Sequence, residues 1–194
     1  MRTAYIGCVI LLLLASVPAA AGLVGNGGFE TGDFTDWTVS GAAFTCGSPT
    51  PGISTNGPHS GTYSACFGNP DSLTFISQVL ATVPGQEYEV SFWYAQQPPA
   101  DIRSNEAEVI WGGTTVINAF NVPVTPWTFA AFEVTASGAS TQITFGFDNG
   151  PGWFALDDVS VDAVPEPCAA VLCGIGFALL AAFRGLRRKA APCA

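Results

Sequence analysis

Short runs in which apolar and polar residues alternate dominate the second half of this sequence. The clearest are EYEVSFWYA (87–95), NEAEVIWGG (105–113), WTFAAFEVTA (127–136), TQITFGFDN (141–149) and WFALDDVSV (153–161). Turn signals rich in Gly and Pro, such as VPGQ (83–86) and NGPG (149–152), separate them. A period of two indicates strands with one buried face, and strands this short and frequent predict an all-β sandwich.

The alternation also predicts the core, because successive side chains of a strand point to opposite faces of a sheet. The predicted apolar rows are Tyr88, Val90, Phe92 and Tyr94; Phe132 and Val134; Ile143, Phe145 and Phe147; and Val159 and Val161. Trp93 and Trp111 fall out of phase with the apolar rows of their strands, so we expect them on outer faces. No internal repeat of 20 to 50 residues is visible, which argues against a solenoid or propeller.

The charge is distributed unevenly along the chain. The formal net charge is -9, yet the 194 residues carry most of their basic groups at the two ends. Between residues 22 and 164, fourteen carboxylates stand against Arg103 as the one basic residue. A segment this acidic repels phosphate backbones, so the sequence predicts no nucleic-acid partner.

The first 21 residues are typical of an export signal. Arg2 gives a positive start, AYIGCVILLLLAS follows as a short apolar segment, and VPAAAG offers small residues for cleavage after Ala21. An uncleaved membrane anchor is the alternative. We therefore expect residues 1–21 to be a signal peptide and residues 22–163 to form one folded domain.

Export changes how the six cysteines are counted. Cys8 lies in the signal peptide, and three others lie after residue 167, which leaves Cys46 and Cys66 in the folded part. Two cysteines in an oxidising compartment predict a Cys46–Cys66 disulfide, and two separate buried thiols are the alternative. The sequence has no CxxC pair and a single His, so it predicts no zinc site.

Five segments, in this order, resemble the jelly-roll carbohydrate-binding modules, a galactose-binding-like β-sandwich. They are LVGNGGFETGDFTDWTVSG (23–41), GPHSGTYSACFG (57–68), VPGQEYEVSFWYA (83–95), TPWTFAAFEVTA (125–136) and FALDDVSV (154–161). The resemblance covers nearly the whole of residues 22–163. It is moderately specific for the fold and poorly specific for the ligand.

The resemblance implies a structural Ca²⁺ where the first and last strands meet. Its expected ligands are Glu30 and one of Asp157 and Asp158, because a hard cation takes several oxygen ligands and offsets the repulsion between carboxylates. The alternative is that an aspartate only accepts hydrogen bonds from backbone amides at a strand end.

The resemblance also implies sugar binding through aromatic faces. Trp37 and Trp127 occur where similar domains pack their cores. Trp93, Trp111 and Trp153 are the predicted carbohydrate contacts, with packing as the alternative for each.

The sequence does not predict an enzyme. His59, the one His, lies in the turn segment GPHSG, and a Ser/His/Asp nucleophile system would have to use it. The fourteen acids include no recognisable acid/base pair for glycoside hydrolysis, and Glu106 and Glu108 read as solvated charges on one strand face.

The end of the chain has a different character. CAAVLCGIGFALLAAF (168–183) is free of charges, and as a helix of about 24 Å it is somewhat short of a bilayer core of about 30 Å. Snorkelling or local thinning would still let it span. Arg184, Arg187, Arg188 and Lys189 would hold the C-terminus on the cytoplasmic side and place the acidic domain outside.

Val164, Pro165, Glu166 and Pro167 precede this apolar run, and residues 164–189 resemble the PEP-CTERM sorting signal of Gram-negative bacteria. That signal combines a Pro-Glu-Pro motif (164–167), a transmembrane helix (168–183) and a basic tail (184–189). The resemblance implies an exosortase as the processing partner. It also implies an inner-membrane tether before processing, then a place at the cell surface or in the matrix, where the domain would bind or organise extracellular polysaccharide. A structural or adhesive protein without a sugar site is the alternative.

Overall fold

The chain folds into two facing β-sheets. The computed structural model describes residues 22–44, 46–47, 50–69, 72–97, 105–150, 152–165, 174–176 and 179. The strands are β1 (Thr38–Gly41), β2 (Ile53–Ser54), β3 (Ser64–Phe67), β4 (Thr74–Ala81), β5 (Glu87–Gln97), β6 (Glu106–Trp111), β7 (Thr114–Phe120), β8 (Thr125–Thr135), β9 (Ser140–Asp148) and β10 (Trp153–Ala163). The predicted all-β sandwich is confirmed.

Each sheet has five strands, and every described pairing is antiparallel. Sheet A has the order β1-β4-β9-β6-β7, and sheet B has the order β2-β3-β10-β5-β8. The turn between β6 and β7 consists of Gly112 and Gly113, at φ 55° and 83°. Two consecutive positive φ values are what a tight hairpin turn requires, and glycine adopts them without steric cost.

The core lies between the sheets and contains the predicted apolar rows. Val90, Ile143, Phe145 and Val161 are completely buried, and the remaining members of those rows are buried or packed against the core. Aromatic rings link the two sheets: Phe92 of sheet B meets Phe145 of sheet A edge to face at a centroid distance of 5.1 Å. Such pairs add about 0.5–1.5 kcal/mol beyond the area they bury.

One predicted orientation is wrong. Trp111 is 6 % exposed and belongs to the core, because β6 pairs with β9 so that Trp111 lies opposite the buried Ile143. Its indole N–H donates to the Thr135 carbonyl at 3.0 Å, which satisfies the one polar atom of the ring. The side chain is therefore unavailable for stacking on a sugar.

Cys46 and Cys66 form the predicted disulfide, with their Cα atoms 6.1 Å apart. The bond ties the segment before β2 to the outer face of β3, where Cys66 is 2 % exposed. A loop of this length contributes about 3 kcal/mol in the chain-entropy model.

The predictions for the two ends of the chain fall largely outside the described residues. Residues 1–21, Glu166, Pro167 and the basic tail with Arg184, Arg187, Arg188 and Lys189 are not described. Of the predicted transmembrane segment 168–183, residues 174–176 and 179 are described and are helical. Within the described part of the chain, no helix has the length and apolar character needed to cross a membrane.

Candidate functional site

A bulge in β10 sets the geometry of the outer face of sheet B. The pairing between β10 and β5 shifts register between Asp157 and Ser160, and Asp158 has a φ of 49°. Asp tolerates this left-handed conformation better than most residues. The bulge changes the phase of the strand, so that Leu156 and Val159 both face the core while Asp157, opposite Trp93, lies on the outer face.

The carboxylates of Glu30, Asp157 and Asp158 hold residues 57–63, which we call the anchored loop, against this face. Asp157 accepts hydrogen bonds from the amides of His59 (2.9 Å) and Ser60 (3.2 Å) through Oδ2, and from the amide of Asp158 through Oδ1 (2.8 Å). Glu30 accepts from the amides of Thr62 and Tyr63, each at 3.0 Å. Asp157 is completely buried beneath the loop.

Glycine is required where Glu30 meets the anchored loop. A Cβ atom on Gly61 would lie 2.4 Å from the Glu30 carboxyl group, and the residue has a φ of 60°. Any other residue at this position would be strained by its backbone and would displace the carboxylate from the two amides. The GPHSGTY segment is thus shaped to receive Glu30.

His59 connects the anchored loop to the aromatic residues of sheet B. Its Nδ1 lies 2.6 Å from Asp158 Oδ2, and its ring stacks on Trp93 at a centroid distance of 3.8 Å and an interplanar angle of 15°. The edge of His59 also meets Trp127. Trp93 therefore lies on the outer face, as the alternation predicts, and His59 covers one face of its ring.

The geometry around His59 is not that of a nucleophile system. The Ser60 hydroxyl donates to Asp158 Oδ1 at 2.7 Å, so within the described residues it is directed to the carboxylate and not to the imidazole. A Ser–His–Asp triad needs the hydroxyl on the imidazole, because the imidazole takes its proton. Both Ser60 and His59 serve instead to hold the anchored loop on Asp158.

The outer face of sheet B carries an open cavity on the far side of His59. A cavity of about 500 Å³ is lined by the rings of Trp127 and Trp153 and by the polar residues Asn56, Gln96, Gln97 and Thr125, and we call it the Trp127–Trp153 cavity. The Trp127 indole N–H donates to the Gly57 carbonyl at 3.0 Å, which joins this wall to the anchored loop. A smaller cavity of about 300 Å³ adjoins the disulfide and shares Asn56 and Trp153.

Trp153, a predicted carbohydrate contact, lines this cavity together with Trp127, which was expected in the core. β8 pairs with β5 so that Thr128 lies opposite Tyr94 and Phe129 opposite Trp93, which puts Trp127 out of phase with the buried Val134. Trp127, like Trp93, is out of phase with the apolar row of its strand. We nevertheless expected it in the core, because similar domains pack a core residue at that position. Trp37 does lie in the core, at 7 % exposure.

In this arrangement the carboxylates predicted to bind Ca²⁺ accept hydrogen bonds, and the calcium site stays a prediction. All six carboxylate oxygens of Glu30, Asp157 and Asp158 form hydrogen bonds: five with the anchored loop, and Asp157 Oδ1 with the amide of Asp158. Within the described residues, no group of three or more His, Cys, Asp or Glu side chains is placed to hold a metal ion.

The predicted sorting motif begins where the sandwich ends. The Val164 amide donates to the Glu87 carbonyl at 2.9 Å, and the Gln86 side chain donates to the Val164 carbonyl at 2.8 Å. Pro165, which has no amide hydrogen to continue the ladder, is exposed.

The fold is shared with carbohydrate-binding modules. TmCBM61, solved with β-1,4-galactotriose, superposes with a TM-score of 0.52 at 22 % identity, over 75 % of this chain and 100 % of that one. The CBM22-1 xylan-binding domain of Xyn10C from Paenibacillus barcinonensis gives 0.53 at 13 % identity, over 77 % and 98 %. At these identities the likeness establishes the jelly-roll fold alone.

One part of a phage tailspike protein has a similar fold. The enzymatically active domain of tailspike protein 4 from bacteriophage CBA120 superposes with a TM-score of 0.52 at 17 % identity, over 74 % of this chain. This chain spans 21 % of that tailspike chain. No protein-family model matches the sequence, and no curated protein matches it.

The role of Glu30 can be tested against the calcium alternative. If the carboxylates act through the hydrogen bonds described here, EDTA leaves the melting temperature unchanged, whereas Glu30→Gln lowers it because an amide nitrogen replaces one acceptor. Differential scanning calorimetry measures both, with the exposed Glu133→Gln as the control variant. A melting temperature that falls in EDTA and recovers with CaCl₂ would establish the calcium site instead.

Asp157 predicts a pH dependence of stability. Burial, with a smaller contribution from the charge of Asp158, raises the pKa of Asp157 from 3.8 to about 6. The folded state therefore binds this proton more tightly than the unfolded state, so the contribution of Asp157 to stability is largest below about pH 4 and is lost as the pH rises through about 6.

We expect the melting temperature of the natural protein, relative to that of Asp157→Asn, to rise as the pH is lowered from 7 to 5. The comparison with Asp157→Asn isolates the effect of the Asp157 carboxyl group from that of groups that do not contact it. Parallel curves for the two proteins would show that Asp157 does not titrate in this range.

Proposed function

We propose that this protein is an exported, non-enzymatic binder of extracellular polysaccharide. The observation that carries the proposal is the Trp127–Trp153 cavity, which two tryptophans and the amide residues Asn56 and Gln97 line on a jelly-roll fold. Aromatic rings offer apolar faces to a pyranose, and amides offer donors and acceptors to its hydroxyl groups. The carbohydrate-binding modules that share the fold support this class of ligand.

A structural or adhesive protein without a sugar site is the second candidate. The stacking of His59 on Trp93 favours it, because this pair uses an aromatic face of sheet B for packing. A measurement of polysaccharide binding distinguishes the two candidates. If the protein binds, loss of binding in variants that lack an indole of the Trp127–Trp153 cavity then identifies the site.

We expect Trp153→Ala to lower retention on the polysaccharide of the producing cell at least tenfold, which corresponds to about 1.4 kcal/mol. Trp153 supplies one wall of the cavity, so its removal takes away a stacking face. Phe120→Ala is the matched control, because Phe120 is an aromatic residue with 59 % exposure on the edge strand of sheet A. Pull-down with the insoluble polysaccharide measures retention. Equal retention of the natural protein and Trp153→Ala would contradict the proposed site.

We also propose that residues 164–189 form a sorting signal of the PEP-CTERM type, cut by an exosortase. In this scheme the apolar run 168–183 and the basic residues after it tether the protein in the inner membrane. Processing near the motif then moves the domain to the surface or the matrix of a Gram-negative cell. The exposure of Pro165 directly after the last sheet hydrogen bond supports the scheme, because a protease needs an extended and accessible segment.

Replacing Pro165, Glu166 and Pro167 with alanine should leave the protein in the membrane fraction at its unprocessed mass. The natural protein should reach the medium or the surface in a shorter form. Cell fractionation followed by mass spectrometry measures both, and Glu133→Gln serves as a control that changes a carboxylate elsewhere. Normal processing of the alanine variant would overturn the sorting proposal and leave the polysaccharide proposal untouched.

A further inference from the structure

Two adjoining cavities lie at one end of sheet B. The Trp127–Trp153 cavity has a volume of about 500 Å³, and the cavity beside the Cys46–Cys66 disulfide, which we call the disulfide cavity, has a volume of about 300 Å³. Trp153 and Asn56 line both of them. A ligand that fills one cavity therefore lies directly beside the other.

The two cavities follow one another across four neighbouring strands. Cys66 of β3 lines the disulfide cavity, Trp153 of β10 lines both, and Gln97 of β5 and Thr125 of β8 line the Trp127–Trp153 cavity. These strands are adjacent in the order β3-β10-β5-β8, and Trp153 lies directly opposite Gln97. Four adjacent strands span about 14 Å, because neighbouring strands lie about 4.8 Å apart. That distance exceeds the length of a single pyranose ring.

The walls of the disulfide cavity are held by covalent and hydrogen bonds. The disulfide joins Cys46 to Cys66, the Gly52 amide donates to the Cys46 carbonyl at 2.8 Å, and the Cys66 amide donates to the Gly52 carbonyl at 2.7 Å. The Asn56 amide donates to the Ser54 hydroxyl at 3.1 Å. A cavity with fixed walls binds a ligand with little loss of conformational entropy.

The residues that line the disulfide cavity suit the chemistry of a sugar. Ser54 and Thr55 carry hydroxyl groups, which donate and accept hydrogen bonds, and Asn56 carries an amide that does both. Trp153 adds aromatic surface. An aromatic wall with a few polar groups is typical of a small-ligand site, and a volume of about 300 Å³ lies at the lower end of the range for such sites.

The position of Trp153 distinguishes two ways of binding a polymer. A site for chain ends is closed beyond the terminal sugar unit, whereas the space at Trp153 continues into two cavities. A chain that packs against Trp153 can therefore continue in both directions.

We propose that the site binds interior segments of a linear polysaccharide and not its chain ends, and that the disulfide cavity is a second subsite for this ligand. The chain runs across β3, β10, β5 and β8, and Trp153 lies between the sugar units that the two cavities hold. The inference rests on the proposed polysaccharide function and specifies which part of the polymer is recognised.

Size-sorted fragments of the polysaccharide of the producing cell, obtained by partial hydrolysis, test the proposal. Isothermal titration calorimetry of the purified protein measures the affinity and the stoichiometry for each fragment. We expect the affinity to rise at least tenfold from the shortest fragment that binds measurably to one that fills both cavities. For still longer fragments, the number of protein copies bound per chain end should rise with length, because interior segments become more numerous and ends do not.

Thr55→Leu tests the disulfide cavity as a subsite. Thr55 is exposed and lines this cavity, so the larger side chain should fill part of it without disturbing the core. We expect the affinity for the fragment that fills both cavities to fall at least fivefold, while the affinity for the shortest fragment and the melting temperature stay unchanged. Thr114→Leu is the matched control, because Thr114 is an exposed threonine on sheet A. Asn56→Ala removes an amide shared by both cavities and should weaken the binding of both fragments.

Two results would overturn this inference and leave the proposed function standing: a constant number of protein copies per chain end at every fragment length, or a Thr55→Leu variant that binds the longer fragment as the natural protein does. A folded protein that binds neither the fragments nor the intact polysaccharide would overturn the proposed function together with the inference.

Discussion

The candidate site depends on a carboxylate buried under a loop. Asp157 lies on the outer face of sheet B, completely covered, and its acceptors are filled by three backbone amides. The β10 bulge directs it there, and the anchored loop begins beside the cavity wall formed by Asn56 and Gly57. Burying this charge costs stability at neutral pH, which the raised pKa of Asp157 reports. The protein thereby fixes a loop over the sheet through hydrogen bonds to carboxylates.

The same loop divides the aromatic surface of sheet B into two parts with different uses. On one side His59 stacks on Trp93, and the pair belongs to the packing of the domain. On the other side Trp127 is held by its hydrogen bond to Gly57, and its ring lines an open cavity with Trp153. A rigid aromatic wall loses little conformational entropy when a ligand binds. Anchoring the loop would therefore also lower the entropic cost of the proposed sugar binding.

Period-two alternation was sufficient to predict the sandwich and most of its core, because β5, β8 and β9 each bury alternate residues along most of their length. It was insufficient for β4, where Gln78 points inward and binds the Gly25 and Asp36 backbone, a contact that no local pattern reveals. Trp111 was misplaced because the run VIW carries apolar residues on both faces. The hydrogen bonds from the amides of Thr62 and Tyr63 to Glu30 could not be predicted from the sequence, because these chain segments meet only in the folded domain.

We claim that the open aromatic site of sheet B is formed by Trp127 and Trp153. The five tryptophans each give one indole N–H signal in a ¹H–¹⁵N NMR spectrum, which single Trp→Phe variants assign. Titration with the oligosaccharide that binds most tightly should shift the Trp127 and Trp153 signals and leave those of the core residues Trp37 and Trp111 in place. Saturable binding that moves neither Trp127 nor Trp153 would contradict the claim.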